Sequence, residues 1–214
     1  IWPLGQPQRP ALAPFPLLGA LATLLEPRRG SGGGPFLGTL VARVGLVPNA
    51  VLEGQFVALE QLAPGRVIAG LGTGDRLSEG ENRAYGIPFP SASERRAELM
   101  ELGRALVRAG LTVWVAGGAA GRTVEAKAVG AALNVWDAEP SLVSQRASGT
   151  DGVEVTWAGP PPAESASLPA TLRSLRRAGA TWAVFGWPVD VDELVAAAHA
   201  ADTEHESGRA AAGP

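Results

Sequence analysis

The stretch from residue 37 to residue 75, LGTLVARVGLVPNAVLEGQFVALEQLAPGRVIAGLGTGD, decides the fold class. Residues 37–47 are almost continuously apolar, which is typical of a buried strand. A segment with apolar residues at helical spacing follows, and Pro64 with Gly65 ends it. Residues 66–70 form a second apolar run. A strand, a helix and a strand in this order predict a parallel sheet covered by helices.

The same alternation continues towards the C-terminus. We expect a helix that is capped by Ser91 or Ser93 and ended by Gly110. Residues 71–90 and 139–152 are expected to be loops. Further strands are predicted at residues 111–116, 131–136, 153–157 and 181–185, and further helices at residues 122–129, 168–178 and 190–201. The resulting six strands suit an incomplete barrel as well as an open doubly wound sheet.

Composition excludes several classes of protein. Of the 214 residues, 46% are apolar and 18% are charged, which is the balance of a folded domain. The net charge is −3 and no basic stripe is present, so we expect no nucleic-acid partner. No apolar run reaches membrane-spanning length, and no signal peptide is visible, so we expect a cytoplasmic protein. With no cysteine and two histidines, we expect no metal site.

A glycine-rich segment directly follows the second strand. Gly70, Gly72 and Gly74 resemble a dinucleotide-binding fingerprint, but Asp75 occupies the position of the third glycine, which makes that interpretation weak. The glycines let the backbone approach a ligand closely, or they form a plain turn. The carboxylate of Asp75 is a candidate for proton transfer, although such residues are often solvated loop charges.

Two later strands also end in candidate site residues. Gly117 and Gly118 precede a predicted helix whose first N–H groups favour an anion such as phosphate, and Arg122 adds positive charge. A turn without a ligand is the alternative. Asn134 and Trp136 end the next strand, where they line a substrate pocket or simply pack in the core.

Taken together, these segments resemble the luciferase-like monooxygenases. Residues 37–41 match the LGT-x-V pattern of that family, and residues 65–74 match GR-x-x-x-GLG-x-G. The resemblance covers roughly residues 36–137 well and the remainder loosely. It implies a TIM-type (β/α)8 barrel that binds FMN or the deazaflavin coenzyme F420.

The resemblance also implies roles for particular residues. A non-proline cis peptide is expected at Leu40–Val41, against the cofactor ring, and Asp75 is the expected catalytic residue. Gly117, Gly118 and Ala119 match the cofactor-phosphate turn of the family. The full expected cofactor-binding set is Thr39, Leu40, Val41, Gly72, Thr73, Gly74, Ala116, Gly117, Gly118 and Ala119.

The sequence therefore predicts an α/β barrel that lacks strand one and helix one, with Ile1 and Trp2 as a remnant of strand two. Residues 1–203 would form a single partial barrel domain and residues 204–214 a flexible tail. The expected function is a flavin- or deazaflavin-dependent oxidoreductase or monooxygenase acting on a small organic substrate. Two alternatives stay open, a cofactor-free relative that acts as a binding or subunit protein and an open-sheet nucleotide binder. A homodimer is also left open.

Overall fold

The computed structural model describes residues 13–25, 33–117, 121–149 and 152–211. Helices and strands alternate along this part of the chain, as the sequence predicts. The elements are α1 (Pro14–Leu24), β1 (Leu37–Arg43), α2 (Asn49–Leu62), β2 (Val67–Gly72), α3 (Ser78–Ala84), α4 (Ala92–Arg108), β3 (Thr112–Ala116), α5 (Gly121–Val129), β4 (Ala132–Trp136), α6 (Pro140–Ser148), β5 (Val155–Gly159), a 3₁₀ turn (Ser165–Ser167), α7 (Leu168–Arg177), β6 (Ala180–Phe185) and α8 (Val191–Ala211).

The chain divides into two compact units. The first unit comprises Ile1–Ala116 and Val124–Ala131, and the second comprises Gly117–Thr123 and Ala132–Pro214. Each unit contributes three of the described strands, and the helices between them supply the apolar side chains that cover the strands.

In the first unit, β2 pairs in parallel with both β1 and β3. All six residues of β2 are buried, as expected for a central strand covered on both faces. Helix α2 turns one apolar stripe inward, and Phe56 on that stripe meets Phe15 of α1 edge to face at 4.9 Å between ring centroids. The core of this unit therefore forms around the central strand.

Helix α4 is the longest helix of the first unit, and its start is the one that the sequence predicts. The Ser91 hydroxyl accepts from the Glu94 backbone N–H, while the Glu94 carboxylate accepts from the Ser91 N–H, which is a complete capping box. At its other end the chain turns at Gly110, which has a φ of +86°. Both predicted boundaries are confirmed.

In the second unit, β5 pairs in parallel with β4 and β6. Val143 of α6 and two leucines of α7, Leu168 and Leu175, are buried. Within each unit the strands follow one another in sequence order, without the reversal of a doubly wound sheet. The predicted α/β class with parallel strands is confirmed.

The sequence missed two helices. Helix α3 lies within residues 71–90 and α6 lies within residues 139–152, both of which were expected to be loops. Neither segment has a long apolar stripe, because α3 buries only Asn82 and α6 only Val143. Periodicity cannot detect a helix that buries a single side chain.

Several element boundaries also differ from those predicted. Strand β1 ends at Arg43 rather than at residue 47, and β2 runs two residues further than expected, to Gly72. Helix α8 continues to Ala211 instead of ending near Ala201. The proposed strand remnant at Ile1 and Trp2 lies outside the described residues.

Within the described residues, no helix is long and apolar enough to cross a membrane, and no group of three or more potential ligand side chains is placed to hold a metal ion.

Candidate functional site

The most unusual backbone of the first unit is in the middle of β1. The register between β1 and β2 shifts between Thr39 and Ala42, which leaves Leu40 and Val41 outside the regular ladder. The peptide bond between Leu40 and Val41 is cis, as the family resemblance predicts. Their side chains are 39% and 40% exposed, although they belong to a strand in a covered sheet. We call Leu40 and Val41 the apolar platform.

Glycines of β2 let this irregular segment lie directly on the neighbouring strand. A Cβ atom at Gly70 would fall 2.0 Å from the Thr39 carbonyl oxygen, and one at Gly72 would fall 2.5 Å from a methyl group of Val41. The Thr39 hydroxyl also donates to the Gly70 carbonyl oxygen at 2.8 Å. The platform is therefore fixed by close contact between the backbones of two strands.

A largely buried ion pair anchors the segment that follows β2. Arg43, at the end of β1, lies 2.6 Å from the carboxylate of Glu81 and donates to the side chain of Asn82, also at 2.6 Å. Burial lowers the pKa of the Arg43 guanidinium, and the negative charge of Glu81 opposes that effect. These contacts hold α3 against the end of β1.

Asp75 is exposed at the start of this segment. Its Oδ1 atom accepts from the backbone N–H groups of Leu77 and Ser78, at 2.9 and 3.2 Å. The carboxylate therefore forms an Asx turn that leads into α3, as aspartate commonly does. This turn fixes the position of the carboxylate while leaving it accessible to solvent.

Arg95 of α4 is a site residue whose role the sequence did not reveal. It is buried, its Nε donates to the Thr73 carbonyl oxygen at 2.9 Å, and its guanidinium lies 4.0 Å from the ring centroid of Phe89. A second bond runs to the Pro90 carbonyl oxygen. Arg95 thereby joins the backbone before α3 to the backbone after it. An arginine in a helix ordinarily indicates a solvated face, so its burial could not be predicted.

In the second unit, an arginine in the first turn of α5 lies over Gly117, the residue that follows β3. A Cβ atom at Gly117 would lie 2.6 Å from Cγ of Arg122, so the arginine side chain crosses the glycine backbone. Thr123, in the first turn of α5, has a buried hydroxyl oxygen with no hydrogen-bond partner among the described residues. Gly118 and Ala119 lie outside those residues. A positive side chain at a helix start fits an anion such as phosphate.

The two candidate substrate residues differ in exposure. Asn134 is 1% exposed and donates to the Thr156 hydroxyl at 3.0 Å, which is the arrangement of a satisfied core residue. Trp136, at the end of β4, is 62% exposed. Trp136 is thus the one of the pair whose side chain is available to a ligand.

The structure brings the predicted residues together in two sets. In the first unit, residues 39–41 of β1 lie beside residues 70–72 of β2, and Thr73, Gly74 and Asp75 continue from the same strand end. Ala116 ends β3, in the same unit. In the second unit, the Gly117 N–H donates to the Asn134 carbonyl oxygen at 3.0 Å, two residues before Trp136.

Comparison with known proteins gives one sequence relative and several structural ones. The F420-dependent glucose-6-phosphate dehydrogenase of Kineococcus radiotolerans is 47% identical over 66 residues, which are 30% of this chain and 19% of that protein. The chain thus matches about a fifth of the length of this curated relative. No protein-family model matches the chain.

Two solved structures share the fold at low sequence identity. The F420-dependent tetrahydromethanopterin reductase of Methanopyrus kandleri has a TM-score of 0.59 at 12% identity, covering 87% of this chain and 85% of the reductase. A monooxygenase from Streptomyces bottropensis has a TM-score of 0.54 at 15% identity, covering 78% of this chain and 61% of the monooxygenase. At these identities the likeness is one of fold.

Proposed function

We infer that this chain is a luciferase-like oxidoreductase that uses F420 or FMN to act on a small organic substrate. The observation that carries the proposal is the apolar platform of Leu40 and Val41, exposed in the middle of β1 and held in close contact with the glycines of β2. The similarity to an F420-dependent dehydrogenase supports F420, and FMN is the second cofactor that the family resemblance implies.

The first unit fits the ring system of such a cofactor. A flat conjugated ring buries its apolar face best on side chains that do not move, and contact with Gly70 and Gly72 fixes the platform. Beyond Gly72, Gly74 continues the chain without a side chain, so a ring edge would approach the backbone there. When bound, the cofactor would supply the hydride or oxygen chemistry. The protein would orient the ring and exclude water from one of its faces.

Asp75 is the proposed acid–base residue. Its carboxylate is held by two backbone N–H groups and remains exposed, so it can accept or release a proton at the end of β2. Arg43 and Arg95 would act as positioning residues, because they fix the backbone on either side of Asp75.

The cofactor phosphate would bind between β3 and the start of α5. Arg122 would take part through its charge, and Gly117, whose N–H already donates to Asn134, would leave room for the Arg122 side chain. Gly118 and Ala119 belong to the same proposal. Trp136 is the proposed substrate-facing side chain of the second unit, with Asn134 supporting it from the core. A cytoplasmic location and a homodimeric state rest on the sequence analysis alone.

Fluorescence titration of the purified protein with FMN and with F420 tests the proposal. We expect one of the two to bind, and we expect Val41→Glu to weaken that binding at least tenfold, because a carboxylate cannot be buried under a flat apolar ring without cost. Val51→Glu makes the same change at an exposed valine of α2 and should leave the affinity unchanged. If neither cofactor binds, or if the two variants behave alike, the proposed ring site is wrong.

A further inference from the structure

Residues 73–90 form a loop whose two ends meet at one buried side chain. Arg95 of α4 donates to the carbonyl oxygen of Thr73, where the loop begins, at 2.9 Å, and to that of Pro90, where the loop ends. The Arg95 guanidinium also lies 4.0 Å from the ring centroid of Phe89. Because Arg95 is buried, it fixes both ends of the loop to the core. Compact surface loops with adjacent ends are frequently functional.

Between its ends, the loop is held together by its own hydrogen bonds. The Asp75 carboxylate accepts from the backbone at the start of α3. After the helix, the Asn82 side chain donates to the Pro88 carbonyl oxygen at 2.7 Å, and the Ile87 N–H donates to the Asn82 carbonyl oxygen at 2.9 Å. All these bonds lie within residues 75–88, so they persist when that segment moves as one body. We call residues 75–88 the α3 flap.

The α3 flap is attached to the rest of the first unit by polar contacts more than by apolar packing. Within the described residues, no other helix or strand packs extensively against α3, and Asn82 is its one buried residue. Arg43 of β1 donates to the Ser78 carbonyl oxygen at 3.2 Å. It also donates to the side chains of Glu81 and Asn82, both at 2.6 Å. A segment with little buried apolar surface opens at a low cost in free energy, because water replaces the broken hydrogen bonds.

We propose that the α3 flap opens and closes as a lid at the end of β2, with Arg43 as its latch and Gly74 as its hinge. Gly74 has a φ of +66°, and an added Cβ there would lie 2.7 Å from Cδ of Arg43, so the latch rests beside the hinge. In the closed form Asp75 stands at the end of β2. Opening moves Asp75 away and admits a ligand to the apolar platform. This role rests on the proposed function, since it requires a ligand at the platform.

Pulsed electron paramagnetic resonance of the whole chain, without any cofactor, tests the motion. The chain contains no cysteine, so Leu77→Cys on the flap and Val51→Cys on α2 provide two sites for spin labels, both at exposed side chains. We expect one main distance between the labels when the latch is intact, which is that of the closed form. Glu81→Gln should populate a second, distinct distance and raise the open fraction at least tenfold, because an amide is a weaker partner for Arg43 than a carboxylate.

Glu79→Gln is the matched control. Glu79 lies on the same helix, but its ion pair with Arg83 is at the surface, so its loss should leave the distances unchanged. If circular dichroism shows that Glu81→Gln does not fold, Arg43→Lys decides instead, since lysine keeps the charge but lacks the planar fork that bonds several acceptors at once. One unchanged distance in the latch variant, or equal effects of the two glutamine variants, would overturn the lid.

Addition of FMN or F420 separates the lid from the proposed function. A bound cofactor should return the Glu81→Gln chain to the closed distance, with the open fraction reduced at least tenfold. A cofactor that binds without changing the distances would show that the flap does not close on the ligand, and the lid would then be wrong. If the second distance appears but neither cofactor binds, the motion of the flap is supported and the proposed oxidoreductase function is wrong.

Discussion

Gly70 of β2 lies so close to Thr39 of β1 that a methyl group at the glycine would fall 2.0 Å from the threonine carbonyl oxygen. The obstacle is backbone, which cannot rotate away as a side chain can. Because residue 70 has a hydrogen atom in place of a Cβ, β1 can take the conformation that exposes Leu40 and Val41.

Gly70→Ala should destabilise the protein by about 3 kcal/mol or more, because the strands must separate to admit the methyl group. Gly54→Ala is the matched control. Gly54 lies in α2 with nothing within 4 Å of its Cβ position, so alanine there should add about 0.5–1 kcal/mol of stability. Urea unfolding of the two variants measures both effects. A Gly70→Ala protein as stable as the parent would contradict the packing described here.

Arg43→Met should cost about 2–3 kcal/mol, because Glu81 and Asn82 would lose their charged donor while remaining largely buried. Replacing Glu81 by leucine in the same chain should recover part of that loss, since no unpaired carboxylate then remains. The free energies of unfolding of the two single variants and the double variant measure the coupling. Strict additivity would show that the ion pair does not hold α3.

The capping box of α4 should make stability depend on pH. Two hydrogen bonds hold the pKa of Glu94 below its ordinary value. The larger effect comes from the Ser91 side chain and the smaller one from the Ser91 backbone. A carboxyl with a lowered pKa in the folded state stabilises the fold above its unfolded pKa, and that contribution is lost as the pH falls through the folded value.

The expected signature is a steeper fall in stability for the parent than for Glu94→Gln as the pH drops below about 4.5. Glutamine keeps the capping geometry but does not titrate. Unfolding transitions recorded between pH 7 and pH 3 provide the comparison, with Glu164→Gln as the control at an exposed glutamate. Parallel curves for the parent and Glu94→Gln would remove the capping box as the cause.

Arg122→Gln should weaken FMN binding roughly ten- to a hundred-fold through the loss of a charge-assisted hydrogen bond to phosphate. Riboflavin, which lacks the phosphate, should bind the parent and the variant equally. If F420 is the cofactor, its phosphate-free deazaflavin serves the same purpose. Arg177→Gln on α7 repeats the charge change at an exposed position. An equal loss for both forms of the cofactor would place the phosphate elsewhere.

Asp75→Asn should lower turnover by about 10²–10⁴-fold without changing cofactor affinity, because asparagine cannot exchange the proton. The asparagine side-chain oxygen can accept the same two backbone hydrogen bonds in an Asx turn, so α3 and the fold should persist. Glu79→Gln, at a neighbouring exposed carboxylate, is the comparison for the steady-state rates. Full activity in Asp75→Asn would transfer the acid–base role to another group.

Local sequence signals predicted most of the fold. The central strand β2, the helix that ends before Pro64 and Gly65, and the cap at Ser91 each follow from a pattern of neighbouring residues, and each is present. The cis bond at Leu40–Val41 came from the family resemblance rather than from the residues themselves. The features that could not be predicted depend on contacts between residues that are distant in sequence. Helix α3 is held by the bond between Arg43 and Glu81, which are 38 residues apart. The buried Arg95 is satisfied by the carbonyl oxygen of Thr73.

The extra residue in β1 also changes which face each later side chain occupies. Thr39 and Ala42 pair with Ala69 and Leu71, so β1 advances three residues while β2 advances two. This register shift lets Thr39 and Ala42 both point inward, with two outward residues between them. Deleting either Leu40 or Val41 would restore a regular alternation and leave Arg43 on its present face, but only one exposed apolar residue would then remain between Thr39 and Ala42. The length of this strand is thus as constrained as its composition, and variation here should take the form of substitution rather than deletion.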